Sequence, residues 1–160
     1  MRIAARIALL LAIASVGCGP TVDLSKALQI DVVDTGWFDA GIVNGQNKLV
    51  PTARITVKNN SDQTLPLLQI NALFRRVSDT EEWGSAFITA AGSSGLAPGA
   101  SVGPLLLKSQ NGYTGTDQTR RDMLQNTQFI DAKVQLFAKY GSVQWVRMGE
   151  HPIKRELLEK

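Results

Sequence analysis

Ile130-Asp131-Ala132-Lys133-Val134-Gln135-Leu136-Phe137-Ala138 decides the fold of this chain. Ile130, Ala132, Val134, Leu136 and Ala138 are apolar or small, and Asp131, Lys133 and Gln135 separate them. Side chains on a strand point alternately to opposite faces, so a period of two marks a half-buried strand. The same period recurs upstream. Leu68, Ile70, Ala72 and Phe74 alternate with Gln69, Asn71 and Arg75; Ile55 and Val57 with Arg54, Thr56 and Lys58; Leu28, Ile30 and Val32 with Gln29 and Asp31. Between these runs the residues are those of turns. Asn44-Gly45 suits a tight hairpin, Lys58-Asn59-Asn60-Ser61-Asp62 a polar loop, and Ala97-Pro98-Gly99 a turn.

Gly141-Ser142 fits a two-residue turn that folds the last strand back on its predecessor. In that register Tyr140 pairs with Val143 and Ala138 with Trp145. Ala138, Leu136, Val134, Val143 and Trp145 then share a buried face. The reverse face carries Phe137, Val146 and Met148 among Lys139, Gln144 and Glu150, and its apolar content predicts a cover. Thr116 to Asn126 is the one convincing helical stretch, capped by Thr116 or Asp117, with Met123 and Leu124 as its apolar edge. Seven or eight short strands and one short helix predict an all-β, immunoglobulin-like β-sandwich over residues 27–160, with a small barrel as the alternative.

The N-terminus has a different character. Arg2 and Arg6 precede an unbroken apolar and small-residue run from Ile7 to Val16. Ser15-Val16-Gly17-Cys18 closes it, and Gly19-Pro20-Thr21-Val22-Asp23 follows. A basic start, an apolar centre and small residues form the order of a secretory signal peptide, here a helix over residues 1–17. The run is too short to span a bilayer, which takes about 20 apolar residues. Cys18 is the only cysteine, so no intramolecular disulfide can form. Ala12-Ile13-Ala14 offers ordinary cleavage as the rival reading, leaving Cys18 a free thiol. Gly19 to Lys26 reads as a short tether. Arg2 and Arg6 are the only charges in residues 1–17, so 15 of the 17 Lys and Arg remain against 14 acids, a net +1. With no basic stripe interleaved with aromatics, a nucleic-acid partner is not expected.

Two resemblances follow. Ser15-Val16-Gly17-Cys18 resembles the lipobox of bacterial lipoproteins, with Ser15 where Leu is usual. That resemblance implies lipidation of Cys18, attachment to the membrane through it and a cell-envelope location. Gly19 after the cysteine resembles the pattern sent on to the periplasmic face of the outer membrane in Gram-negative relatives. The second covers Thr52 to Lys108. There Val57-Lys58-Asn59-Asn60-Ser61 ends a strand, another strand runs through Leu73-Phe74-Arg75-Arg76, and Leu96-Ala97-Pro98-Gly99-Ala100 makes a turn. This layout resembles the bacterial FxLYD-type domains and the late-embryogenesis-abundant type 2 sandwiches. Ala72-Leu73-Phe74-Arg75-Arg76 stands in place of the FxLYD motif itself. The resemblance implies a sandwich with a binding or scaffold role.

No set of residues carries a specific catalytic chemistry. His151 is the only histidine, and a Ser-His-Asp mechanism would need it as base. It falls at a strand end before Pro152, and no nucleophile-elbow motif is present. Asp79, Glu81 and Glu82 read as a solvated hairpin tip, without the Gly-punctuated acidic loop that holds calcium. Arg75-Arg76 and Arg120-Arg121 read as solvated or ion-paired, with a docking patch for an acidic partner or anionic lipid headgroups as the alternative. Gly112-Tyr113-Thr114-Gly115 is either a connection or a contact loop that presents Tyr113. Trp37-Phe38 and Trp83 lie beside Gly36 and Gly84, at expected loop–strand junctions, and read equally as core or as exposed anchors. Trp145 reads as core. The sequence thus predicts a non-catalytic, lipid-anchored module without metal or cofactor. It would bind an envelope protein partner through Trp37, Phe38, Trp83 and Tyr113. The alternatives are a small-ligand or glycan binder using these aromatics and, more weakly, an envelope hydrolase.

Overall fold

The computed structural model describes residues 20–158 of the 160-residue chain. Residues 1–17, read above as a signal peptide, and Cys18 lie outside the described residues. Two four-stranded antiparallel sheets pack face to face as the expected sandwich. One holds β1 (Leu28–Val43), β2 (Gln46–Asn59) and β5 (Ser101–Lys108) in the order β1-β2-β5, with the short β6 (Tyr113–Gly115) also on β2. The other runs β4-β3-β7-β8, from β3 (Leu68–Arg76), β4 (Gly84–Ala91), β7 (Ala132–Lys139) and β8 (Val146–Pro152). The chain crosses between sheets after β2, β4 and β6, which is immunoglobulin-like connectivity.

The alternating residues fill the space between the sheets. Ile55, Val57, Leu68, Ile70, Phe74, Val134 and Leu136 are all buried in one apolar cluster. Asn44 and Gly45 turn β1 into β2 with φ of 51° and 77°. Positive φ at both positions is the mirror-image turn that matches strand twist, and Asn-Gly supplies it at low cost.

Several expectations are corrected. The β7–β8 register is shifted: Ala138 pairs with Val146 and Phe137 with Arg147. Val143 N–H does donate to the Tyr140 carbonyl at 3.2 Å, closing the turn at Gly141-Ser142. Ladder pairing resumes only at Val146, because residues 143–145 leave the sheet and carry Trp145 outward against Phe87. Trp145 is therefore 38% exposed rather than core. A bulge between Leu136 and Phe137 lets both Val146 and Met148 pack on the core, so Phe137 alone of that trio faces out.

The helix α2 spans Arg120–Gln125 and not Thr116–Asn126. Thr119 caps it, accepting the Asp122 N–H while the Asp122 carboxylate accepts from Thr119, a reciprocal capping box that Thr116 and Asp117 do not form. Trp37 lies inside β1, paired opposite Pro51, rather than at a junction. Finally, the tether contains a one-turn helix, α1 (Leu24–Ala27), whose Leu24 is buried in the core. Val22 N–H donates to the Tyr140 hydroxyl at 2.6 Å, so the segment is docked from Val22 onward.

Candidate functional site

Three of the four candidate aromatics meet. Trp37 points between the sheets and is wholly buried. Phe129 meets it edge-on at 4.6 Å between ring centres, Tyr113 lies at 5.6 Å and Trp83 at 6.2 Å. Trp83 and Tyr113 are 4.9 Å apart, and Tyr113 and Phe129 4.8 Å. Tilted and edge-on pairs at these distances put positive ring edges against negative faces. Two cations cap the cluster: Arg76 lies 5.7 Å over Trp83 and Arg155 5.1 Å over Phe129. Trp37 is thus the centre of an aromatic core, and half-buried Trp83 and Tyr113 form its rim. Phe38 takes no part. It is half-buried elsewhere, with Lys108 Nζ 4.1 Å over its ring.

Tyr113 is placed by the glycines around it. Tyr113-Thr114-Gly115 is not a loop but the strand β6, laid on Asn47 to Leu49 of β2, with Gly112 leading into it. A Cβ on Gly112 would fall 2.0 Å from the Leu49 carbonyl oxygen, and one on Gly115 2.7 Å from Met123 Cγ. Only glycine admits so close an approach. The Tyr113 hydroxyl donates to the Ile130 carbonyl at 3.2 Å. Burial raises its pKa above the usual phenol value, against an opposing pull from Arg76. Beside it opens a hollow of about 140 Å³ lined by Tyr113, Met123 and Phe129 and by Gln118, Asn126 and Gln128. Aromatic walls with side-chain amides suit a small polar ring.

Above β6 the β1–β2 hairpin continues as an arm. β5 ends opposite Thr52; past that point β6 flanks β2, and the C-terminal tail meets β1 at Trp37. Several ties hold the arm: Asn47 Nδ2 donates to the Gln118 carbonyl at 2.6 Å, Gln46 bonds Thr116, and Arg120 pairs with Asp39 at 3.0 Å. Its tip nevertheless leaves Ile42 69% and Val43 39% exposed.

The remaining candidates are accounted for locally. His151 is half-buried on β8 and borders a hollow with Asp34 and Thr35. The Thr35 hydroxyl donates to the Pro152 carbonyl at 2.9 Å, and Asp34 pairs with Arg54 at 3.1 Å. Asp79 is held by Arg76 at 2.6 Å, and Glu81 and Glu82 are solvated. Arg75 bonds the Thr80 carbonyl. Among the described residues, no group of three His, Cys, Asp or Glu could hold a metal ion, and no helix is long and apolar enough to cross a membrane. Phe129, which the sequence does not single out, completes the cluster. Its flanks, Gln128 and Ile130, show no period that would have revealed it. No protein-family model matches the chain, and no curated protein matches it in sequence.

Proposed function

We propose that this chain is a lipid-anchored, non-catalytic module of the bacterial cell envelope that docks a protein partner through the β1–β2 arm. The arm carries the reading: Ile42 and Val43 stand exposed on a hairpin that β6 and α2 hold in place. Apolar side chains on a pre-ordered element bind with little further loss of conformational freedom. The lipobox-like Ser15-Val16-Gly17-Cys18 supports the anchor. Trp37 no longer figures among the contacts, because the core encloses it, and Trp83 and Tyr113 serve as its rim.

The hollow beside Tyr113 favours a second reading, a glycan-ring binder, on its aromatic walls and three amides. One experiment separates the two. With Ile42 replaced by a photoreactive phenylalanine, irradiation of intact cells is expected to yield one discrete protein adduct that Val43→Asp abolishes. If no adduct forms, and cell-wall sugar fragments instead change tryptophan emission in a saturable way, the arm is not the contact and the hollow is.

A further inference from the structure

The outer face of the β4-β3-β7-β8 sheet carries a feature that the docking arm does not use. Phe87, on the edge strand β4, is 59% exposed, and its ring meets Trp145 edge-on at 6.2 Å. Phe87, Asn71, Phe137 and Arg147 form one cross-strand row, so Phe137 continues the apolar surface beneath them. Lys139 Nζ sits 5.1 Å over the Trp145 ring.

Charge on this face is one-sided. Register places Arg75, Lys133, Lys139 and Arg147 on it with a single acid, Glu150. Glu150 is already occupied by Lys133 at 3.4 Å, Arg147 at 3.3 Å and Gln135. Residues 18–160 are nearly neutral as a whole, so this face concentrates positive charge.

The N-terminal segment is bound at the edge of the same surface. Val22 donates to the hydroxyl of Tyr140, the residue after Lys139, and α1 packs on β8. Cys18 precedes Pro20 by two residues, about 7 Å of chain at full extension. A lipid on Cys18 would therefore hold this edge at the bilayer.

We propose that this face, centred on Phe87 and Trp145, lies on an anionic phospholipid surface. The inference rests on the anchored reading above. Tryptophan favours the headgroup region, and lysine and arginine gain from anionic lipid while their stems stay against apolar surface. A lipid anchor together with such a face fixes the orientation of the domain, and the arm is left free for its partner.

The test uses the full chain purified from membranes and reconstituted in phosphatidylethanolamine–phosphatidylglycerol vesicles that contain brominated phosphatidylcholine. Bromine quenches tryptophan only on close approach. Quenching of part of the emission is expected, and Trp145→Phe should abolish it, since Trp37 is enclosed and Trp83 packs at a tilt against Tyr113 and Trp37, away from this face. Replacing phosphatidylglycerol with phosphatidylcholine, or combining Lys139→Glu with Arg147→Glu, should reduce it severalfold. Quenching that survives Trp145→Phe would overturn the proposal. Intact mass of the same sample reads the anchor separately. An acylated chain whose Trp145 is unquenched refutes this face and keeps the anchor. An unacylated chain still quenched refutes the anchor and keeps the face. An unacylated and unquenched chain refutes both.

Discussion

Asn59 ends β2 wholly buried, and its side chain is fully used. Its Nδ2 donates to the carbonyls of Gln63 and Leu96 at 2.8 Å each, and its Oδ1 accepts from the Ser61 N–H at 2.9 Å and hydroxyl at 2.6 Å. One amide thus ties the β2–β3 loop to the β4–β5 loop. Asn59→Ala would remove all four of these hydrogen bonds, each worth about 0.5–1.5 kcal/mol net, while the Leu96 carbonyl keeps the Leu65 N–H and the Gln63 carbonyl keeps the Ser61 hydroxyl. We expect a loss of about 3 kcal/mol in urea unfolding. A loss under about 1 kcal/mol would show that water replaces the amide. Tyr113 makes a pH prediction. Burial raises its pKa in the fold, so the folded state holds the phenol proton more tightly than the unfolded chain, whose value is 10.0. Its contribution is complete below pH 10 and is lost as pH rises through the folded value. Tyr113→Phe should leave stability above pH 10 falling less steeply than in the natural chain. Equal slopes in urea unfolding at neutral and alkaline pH would refute this.

At the scale of elements, legibility tracked how local the deciding forces are. Asn44-Gly45 needs only its own backbone, and the β1–β2 turn is where the dipeptide stands. The alternating runs of β2, β3 and β7 needed only one buried face, and Ile55, Ile70 and Val134 took it. The β7–β8 hairpin failed by one residue because a distant partner decides it. Trp145 can leave the ladder only because Phe87, on the far side of the sheet, and Lys139 receive it. The same holds for Trp37. Its glycine neighbour suggested a junction, but β1 runs through it because Pro51 faces it and Phe129, Tyr113 and Trp83 enclose it. The sequence marks three of those four aromatics singly, and nothing local says that they converge. The helix was placed to within a turn. Its start was missed because Asp122 had to be recognised as the third residue of a capping box that begins at Thr119. β6 was read as a loop, since its pairing depends on how closely Gly112 approaches Leu49.

Across the whole molecule, the two ends of the described chain close the same side of the sandwich. β1 and β8 are the outer strands of their sheets, and no ladder joins them. At one end α1 lies against both. At the other the tail leaves β8 and crosses to β1. Trp37 N–H donates to the Glu156 carbonyl at 2.8 Å, and Leu158 N–H to the Trp37 carbonyl at 3.0 Å. Ile153 is buried on the way, and Arg155 pairs with Asp131 at 2.5 Å. A strand edge left bare exposes unpaired N–H and C=O groups and invites association with other chains. The tail covers this edge where Trp37 lies behind it. Ending the chain after Pro152 removes one buried isoleucine, about 2 kcal/mol, and three backbone hydrogen bonds of about 1 kcal/mol each, the third from the Ile153 N–H to the Ala132 carbonyl. We expect a loss of about 5 kcal/mol in urea unfolding, with iodide gaining access to a tryptophan that it does not reach in the natural chain. The Arg155–Asp131 pair is too exposed to account for a loss of that size. Asp131→Asn, which breaks that pair and leaves Arg155 on the Phe129 carbonyl and ring, should therefore cost under about 1 kcal/mol, which separates closure of the edge from loss of the ion pair. If the shortened chain kept its stability and its shielded tryptophan, the sandwich would be closed by its sheets alone.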